Sequence, residues 1–154
     1  MMHQTLLWKL LLSGLIFRGI IAYFLPAGFD EAYYFLYTQH LDWSYFDHPP
    51  AVAWTTGIGI WLTGIVTPFT MRLGALGLFT GCLWLLYATG RQLFGQSVGL
   101  LGCEIASLSP LFFLSFGTLP APDNALMFFW SLALYLCSQE FFPAHTQSYS
   151  PTSK

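Results

Sequence analysis

The chain has 154 residues, of which 55% are hydrophobic and 8% are charged, with a formal net charge of −2. Charged residues are about one third as frequent as in an ordinary globular domain, where they make up roughly 25%, and the mean hydropathy is +0.58. This composition predicts an all-α integral membrane protein. The absence of a basic cluster excludes nucleic acid as a partner.

Residues 5–25 form the first predicted membrane span, because this mostly apolar stretch is long enough to cross about 30 Å of hydrocarbon. Leu25 and Pro26 follow in place of a small-residue cleavage site, so we expect the span to remain as an anchor. Arg18 lies within it, toward its far end. A cation there either snorkels or pairs with a neighbouring helix, or it serves an acidic site beyond the span.

An acidic pair, Asp30 and Glu31, opens the loop that follows the first span. Acidic residues in a first turn favour a helix, which we expect to run to about residue 41 and to lie at the membrane surface. Its aromatic side chains support that placement: Tyr33, Tyr34, Phe35 and Tyr37. The pair is either a helix cap alone or part of a functional acidic site.

The same loop closes on Asp47 and His48, followed by two prolines that stop the backbone from continuing as a helix. An acid beside an imidazole is either a surface turn or a contact for a divalent metal ion or a phosphate group. Two adjacent residues are too few for a metal site, so such a site requires Asp30 or Asp123 to converge on them. A divalent metal ion bound through Asp47 is the one cofactor that the sequence suggests.

Residues 51–71 contain no charged residue and allow two interpretations. The stretch is long enough to span. However, Pro68 interrupts it, and Trp54, Ile58 and Trp61 share one helical face, as in a helix lying along the interface. The positive-inside tendency favours the interfacial helix. In that arrangement, five of the seven acidic residues lie on the outer face of the membrane: Asp30, Glu31, Asp42, Asp47 and Asp123.

Three further apolar runs are predicted spans: 73–90, 105–122 and 124–139. With residues 5–25 they give about four spans in all. A polar turn around Arg91 separates the first two of these runs, and Asp123 opens the last one after a proline-rich turn. Residues 142–154 are rich in Ser, Thr and Pro, and we expect them to form a disordered tail.

The loop sequence DEAYYFLYTQHLDWSYFDHPPAVAW resembles the first external loop of the GT-C glycosyltransferases that use polyprenyl-phosphate sugars. That superfamily includes the protein O-mannosyltransferases and the lipid A aminoarabinose transferases. The order of the later landmarks is similar too: Arg72 opens a helix, Arg91 lies in a turn, and Asp123 opens another helix. The resemblance implies that residues 1–141 are the N-terminal part of a GT-C transmembrane domain, with about four spans and two interfacial helices in the first external loop.

The resemblance also implies a chemistry and a place for it. A sugar passes with inversion from a polyprenyl-phosphate carrier to an acceptor hydroxyl, at the external, periplasmic face of a multi-pass protein of the plasma (inner) membrane. A carboxylate accepts the hydroxyl proton, and cations stabilise the departing phosphate. Asp30 and Asp123 match the catalytic acids of the family, and Asp47 matches a metal-binding position. Contacts with the substrate and its phosphate are expected from Glu31, His48 and Arg72.

Two departures from the family pattern refine this interpretation. His48 stands where the aminoarabinose transferases have a lysine, and Tyr33 stands where they have an arginine, so a general sugar transferase is favoured. Relatives are also much longer, which implies that this chain is the N-terminal part of such an enzyme, from either a truncated reading frame or a split gene. We expect it to be inactive alone, and in the case of a split gene its partner is a separately encoded C-terminal part. The competing class is a non-catalytic small membrane protein, or a vestigial fragment, that binds a lipid phosphate or a partner helix bundle. The sequence does not identify the sugar or the acceptor.

Overall fold

The computed structural model describes residues 2–142, which form seven helices and no strand. Six are α-helices, and a short π-helix lies between the last two of them. In chain order they are α1 Met2–Phe24, α2 Phe29–Gln39, α3 Ala51–Thr63, α4 Pro68–Phe94, α5 Gln96–Leu108, the π-helix Phe112–Phe116 and α6 Asp123–Phe141. The all-helical prediction is confirmed for these residues, whereas the predicted tail lies outside them from residue 143 onward.

The longer helical segments form a bundle in which successive segments run in alternating directions. The start of α4 lies against the end of α1, where Arg72 donates to the carbonyl oxygen of Ala22. α5 turns back at Gly95, and α6 returns alongside α4, since Gln92 near the end of α4 donates to the carbonyl oxygen of Ser138. One end of the bundle therefore carries both the loop between α1 and α4 and the turn before α6. We call this the loop end.

α4 is the central helix of the bundle and contacts each of the other α-helices. It packs with α1 and α5 around one apolar cluster: Leu7, Leu11, Phe79, Leu83, Tyr87, Leu100 and Cys103. Large apolar side chains also cover the outside of the bundle, among them Trp8, Phe17 and Trp130. An apolar surface of this extent suits a bundle surrounded by hydrocarbon.

Two of the described helices, His3–Phe24 and Pro68–Phe94, are long and apolar enough to cross a bilayer. They account for two of the about four predicted spans. α5 has 13 residues and is therefore about 20 Å long, which is shorter than the hydrocarbon core. α6 has 19 residues but a less apolar composition. The crossing of these last two segments stays a prediction.

The predicted boundaries of the third span, 105–122, were wrong. α5 begins at Gln96, because the polar turn expected around Arg91 is reduced to Gly95, whose φ of +96° is unfavourable for residues with a side chain. The helix then ends early because Pro110 disfavours helical backbone at the residue before it. That residue, Ser109, has φ −65° and ψ 121°.

α3 is too short to span, since its 13 residues extend about 20 Å. This length favours the interfacial interpretation of residues 51–71. The two faces predicted for this helix are also present in the structure. Trp54, Ile58 and Trp61 are exposed by 40% or more, whereas Val52 on the opposite face is fully buried. The buried face meets α4 very closely: a Cβ on Gly59 would collide with the carbonyl oxygen of Thr70, and one on Gly74 with that of Thr55. These glycines hold α3 against the start of α4.

Candidate active site

Asp30 and Glu31 lie in the first turn of α2, where their side chains have opposite environments. Asp30 is exposed and forms no hydrogen bond or ion pair within residues 2–142. Glu31 is 3% exposed, and its Oε2 accepts a hydrogen bond from the backbone N–H of Gly28 at 2.8 Å. A carboxylate placed this way satisfies a backbone donor at the helix start. The pair thus comprises one buried structural carboxylate and one free carboxylate.

Glu31 also forms a buried ion pair with Arg72 in the first turns of α4. Nε of Arg72 donates to Oε1, and Nη2 donates to Oε2, both at 2.6 Å. The remaining N–H groups donate to the carbonyl oxygens of Ala22, Leu25 and Pro26 at 2.6–2.9 Å. All five guanidinium N–H groups therefore have a protein acceptor. This arrangement, the Arg72 clamp, joins the end of α1 to the starts of α2 and α4.

The Arg72 clamp bears on the predicted phosphate contacts. Arg72 is fully buried, and a phosphate oxygen reaches its guanidinium only if a present acceptor is released. Direct contact of Glu31 and Arg72 with a phosphate stays a prediction. The geometry favours a positioning role instead, because the clamp fixes the backbone that carries Asp30.

Asp123 opens α6 at the same end of the bundle. Its carboxylate is exposed and, within the described part of the chain, forms no hydrogen bond or ion pair. The next residue, Asn124, is 2% exposed. Its Nδ2 donates to the carbonyl oxygens of Phe116 at 2.8 Å and Leu119 at 3.3 Å, and its Oδ1 accepts from the backbone N–H of Ala121. Asn124 therefore holds the proline-rich turn against the start of α6.

The two acidic positions share one local design. In each, an exposed acid, Asp30 or Asp123, is followed by a buried polar residue, Glu31 or Asn124, that binds the backbone of the preceding loop. Sequence reasoning missed Asn124 because its partners are backbone carbonyls that leave no pattern in the side chains. The available signal was the repeated order of an acid and a hydrogen-bonding residue at a helix start.

Asp47 lies near the end of the loop between α2 and α3 and accepts hydrogen bonds from two tyrosine hydroxyls. Tyr37 donates to its Oδ1 at 2.7 Å and Tyr33 at 3.1 Å, and Nδ1 of His48 lies 2.9 Å from the same oxygen. The contact with His48 and the two hydrogen bonds hold the pKa of Asp47 at about 2, below its ordinary value. Burial, with these neighbours, raises the pKa of Tyr37 well above its ordinary value, so this phenol stays a donor.

Tyr34 brings the three predicted acids into one environment. Its hydroxyl lies 3.3 Å from Nε2 of His48. Burial raises the pKa of Tyr34, and the negative charges of Asp30, Asp47 and Asp123 raise it further. All three carboxylates are therefore close enough to act on one phenol. A joint site formed by these three acids stays a prediction.

A cavity of about 310 Å³ opens beside Asp30. Its walls come from the end of α1, from the first turn of α2 and, on the other side, from Leu119 and Pro120 in the turn before α6. A ligand in this cavity lies against the Asp30 carboxylate and against the turn that leads to Asp123. The cavity is thus bounded by the segment that carries Asp30 and by the turn that precedes Asp123.

The donor set around Asp47 does not fit a resident divalent ion well. Within residues 2–142, no group of three or more His, Cys, Asp or Glu side chains is arranged to hold a metal. Asp47 and His48 are two ligand side chains where three or four are usual, and Oδ1 of Asp47 already accepts two hydrogen bonds. Metal binding by Asp47 stays a prediction, and we assign no reaction step to it.

The hydrogen bonds to Asp47 predict a distinct acid sensitivity. Its lowered pKa means that Asp47 contributes stability above pH about 4, and that this contribution is lost as the pH falls toward about 2. We expect the difference in free energy of unfolding between the chain and its Asp47→Asn variant to be constant near neutral pH and to shrink between pH 4 and 2. Denaturant unfolding in detergent at several pH values measures this difference. The Asp42→Asn variant serves as the control, and an equal shrinkage there would contradict the assignment.

Comparison with known proteins gives one match. A protein-family model described as dolichyl-phosphate-mannose-protein mannosyltransferase matches residues 47–143, which is more than half of the chain. The matched range includes Asp47, His48, Arg72 and Asp123, and it begins after Asp30. No curated protein and no solved structure gives a significant match.

Proposed function

The chain belongs to the dolichyl-phosphate-mannose-protein mannosyltransferase family, and from this premise we propose that it takes part in sugar transfer from a polyprenyl-phosphate carrier to an acceptor hydroxyl. The observation that carries the proposal is the pair of free carboxylates at the loop end. Asp30 and Asp123 are exposed, and the negative charge of each raises the pKa of Tyr34. Each directly precedes a buried residue, Glu31 or Asn124, that binds the neighbouring backbone or side chains. Groups held this way suit proton transfer, because their backbone is fixed while their oxygens remain open to a ligand.

In the proposed reaction, the acceptor oxygen attacks the anomeric carbon of the sugar. A new carbon–oxygen bond forms as the bond from that carbon to the carrier phosphate breaks, and the configuration inverts. The hydroxyl proton passes to the Asp30 carboxylate, and the polyprenyl phosphate leaves as an anion. Asp123, which follows the turn that forms the other wall, orients the acceptor or sugar hydroxyls by accepting their hydrogen bonds.

The three residues expected to contact the phosphate have different roles in this proposal. His48 is the candidate for contact with the phosphate, because it is the one of the three expected phosphate-binding residues that is only half-buried. Glu31 and Arg72 act through the clamp as positioning residues. The two hydrogen bonds between them, and the three from Arg72 to backbone carbonyl oxygens at the end of α1, keep Asp30 and the wall of its cavity in place.

The proposed site faces the outside of the cell membrane, with α3 at the interface. We expect single cysteines placed at Phe46 and Val66, both exposed and on either side of α3, to be labelled from the same outer side of intact cells. The reason is that a helix of about 20 Å does not carry the chain across the bilayer. A membrane-impermeant maleimide measures this, with Cys137 replaced by serine because it is an exposed native thiol. Labelling from opposite sides would show that α3 crosses.

A transfer assay tests the function itself. The donor is radiolabelled polyprenyl-phosphate mannose, and the membranes come from the cells in which the chain naturally occurs, carrying either the unchanged chain or its Asp30→Asn variant, so that any partner it requires is present. We expect label to move from the organic-soluble donor into protein or glycan only with the unchanged chain. Equal incorporation by both membranes would refute the role of Asp30. Other polyprenyl-phosphate sugars in parallel reactions identify the donor.

A further inference from the structure

A pocket of about 220 Å³ lies at the end of the bundle opposite the loop end. Three helices form its walls: Gln4 and Trp8 come from the start of α1, Arg91 from the last turn of α4, and Tyr135 from the second half of α6. Trp8 and Arg91 are exposed, so the pocket is reached from the surface of the bundle. It shares no residue with the cavity beside Asp30 and is therefore separate from the proposed site.

The side chains that line this pocket, which we call the Arg91 pocket, supply hydrogen-bond donors and a positive charge. The guanidinium of Arg91 lies 5.9 Å from the centre of the Tyr87 ring, and within the described part of the chain it has no hydrogen bond or ion pair. The amide of Gln4 and the indole N–H groups of Trp8 and Trp84 likewise have no partner there. No Asp or Glu among the described residues lines the pocket. A cation and several donors without a carboxylate suit an anionic ligand.

Tyr87 gives a second and independent indication of a ligand. It lines the pocket and is 3% exposed, and its hydroxyl is buried without a hydrogen-bond partner among residues 2–142. Buried hydroxyls nearly always have a partner, because an unpaired one costs the free energy of its desolvation. The helix dipole explains a cation in the last turn of α4. It does not explain an unpaired phenol in the wall of an open pocket, whereas a ligand that accepts a hydrogen bond from Tyr87 does.

The Arg91 pocket lies at the level of the lipid headgroups. α4 has 27 residues and is about 40 Å long, which exceeds the thickness of the hydrocarbon core by about 10 Å. Arg91 is about 4.5 Å from the end of this helix, so it lies close to the boundary between hydrocarbon and headgroups. Trp8, Trp84 and Tyr135 are of the residue types that favour this boundary. A lipid phosphate therefore reaches Arg91 without being drawn into the hydrocarbon.

We propose that the Arg91 pocket binds the phosphate group of an anionic phospholipid in the leaflet opposite the loop end. The inference rests on the membrane placement given under the proposed function, but not on sugar transfer. The phosphate accepts hydrogen bonds from Arg91 and Tyr87, while Leu7 and Ala88 in the same walls contact the apolar part of the lipid. The volume of about 220 Å³ suits a phosphate and its glycerol linkage, since pockets for larger organic ligands measure about 300–1,000 Å³.

The charge of the pocket favours an anionic headgroup over a zwitterionic one. The ammonium group of a zwitterionic lipid is repelled by Arg91, and no described carboxylate lines the pocket to pair with it. Basic pockets between membrane helices on the cytoplasmic side bind anionic headgroups by the same electrostatic attraction.

Lipid binding by the purified chain tests the proposal. The full chain is freed of lipid in detergent and titrated with phosphatidylglycerol, and native mass spectrometry counts the lipid molecules retained. We expect one tightly bound phosphatidylglycerol, and binding about fivefold weaker for Arg91→Gln, because one basic residue near an anionic headgroup contributes at this level. Lys9→Gln is the matched control and should bind normally, since Lys9 is an exposed cation near the start of α1 that does not line the pocket.

Tyr87→Phe tests the second contact, because it removes the hydroxyl and keeps the ring. Without lipid, we expect this variant to be at least as stable as the unchanged chain, since an unpaired buried hydroxyl is removed. With phosphatidylglycerol, its melting temperature in detergent should rise less than that of the unchanged chain. An equal rise would show that the lipid does not bond to Tyr87 and would overturn the proposed binding mode.

Three further outcomes would overturn the proposal in distinct ways. Phosphatidylcholine that binds as tightly as phosphatidylglycerol shows that the site does not select an anionic headgroup. Glycerol 3-phosphate that binds as tightly as the lipid assigns the pocket to a soluble phosphate compound. Equal losses of binding in Lys9→Gln and Arg91→Gln show a diffuse attraction to positive charge in place of a pocket.

The Asp30→Asn variant separates this inference from the proposed function. Asp30 lies at the other end of the bundle, so the variant should bind phosphatidylglycerol as the unchanged chain does, whatever its effect on sugar transfer. Loss of lipid binding in Asp30→Asn would place the phosphate at the loop end and overturn the assignment to the Arg91 pocket.

Discussion

Replacing Arg72 with methionine is expected to lower the free energy of unfolding by about 3–5 kcal/mol, the largest stability loss we predict for one substitution. The change leaves the buried Glu31 carboxylate without its ion-pair partner, and it removes the donors bound to three carbonyl oxygens at the end of α1. The cost is high because the remaining charge is cut off from water. Denaturant or thermal unfolding in detergent micelles measures it.

Three further variants make this result specific. Arg72→Lys keeps the charge but not the planar fork, so we expect a large loss there as well. Arg91→Met removes an exposed cation from the same helix and should change stability by less than about 0.5 kcal/mol. Combining Glu31→Gln with Arg72→Met should cost less than the sum of the single losses, since the two side chains act as one unit. A loss for Arg72→Met no larger than that for Arg91→Met would contradict the clamp.

The sequence predicted local structure well where one segment contains its own signals. The acidic first turn of α2 and the exposed face of α3, with Trp54 and Ile58, follow from spacing along a single helix. The end of α5 was missed because Pro110 lies inside an apolar run, and its effect on the preceding backbone outweighed hydrophobicity there.

The contacts of Arg72 and Asn124 are harder to predict, because they depend on how separate segments of the chain pack together. Glu31 and Arg72 are 41 positions apart, and each had a plausible role in phosphate binding when considered alone. Only the packed geometry shows that all donors of Arg72 already have acceptors. Asn124 gave even less signal, since it binds backbone carbonyls and no charged partner. The sequence suggested that Asp30 and Asp123 open helices at the loop end, whereas the residues that fix the backbone beside them required the structure.

In membranes of the cells in which the chain naturally occurs, Asp30→Asn is expected to lower sugar transfer by about 10²–10⁴-fold, the usual contribution of a positioned general base. Asparagine keeps the size of the side chain but cannot accept the proton of the acceptor hydroxyl. The fold should be unaffected, because Asp30 is exposed and has no hydrogen bond or ion pair within residues 2–142. The rate of label transfer from polyprenyl-phosphate mannose measures the loss, and unchanged unfolding behaviour shows that it is chemical.

Comparison with the other free acids of the loop end decides between a base and a general charge effect. Asp42→Asn removes an exposed carboxylate of the same loop and should leave transfer unchanged, since Asp42 bonds locally to the backbone N–H of Trp43. Asp123→Asn should raise KM more than it lowers kcat, because a residue that orients a hydroxyl loses binding before chemistry. If kcat falls further in Asp123→Asn than in Asp30→Asn, the roles are exchanged and Asp123 is the base. Near-normal transfer by Asp30→Asn would leave that residue as a helix cap, because a carboxylate that takes the proton cannot be replaced by a neutral amide without loss.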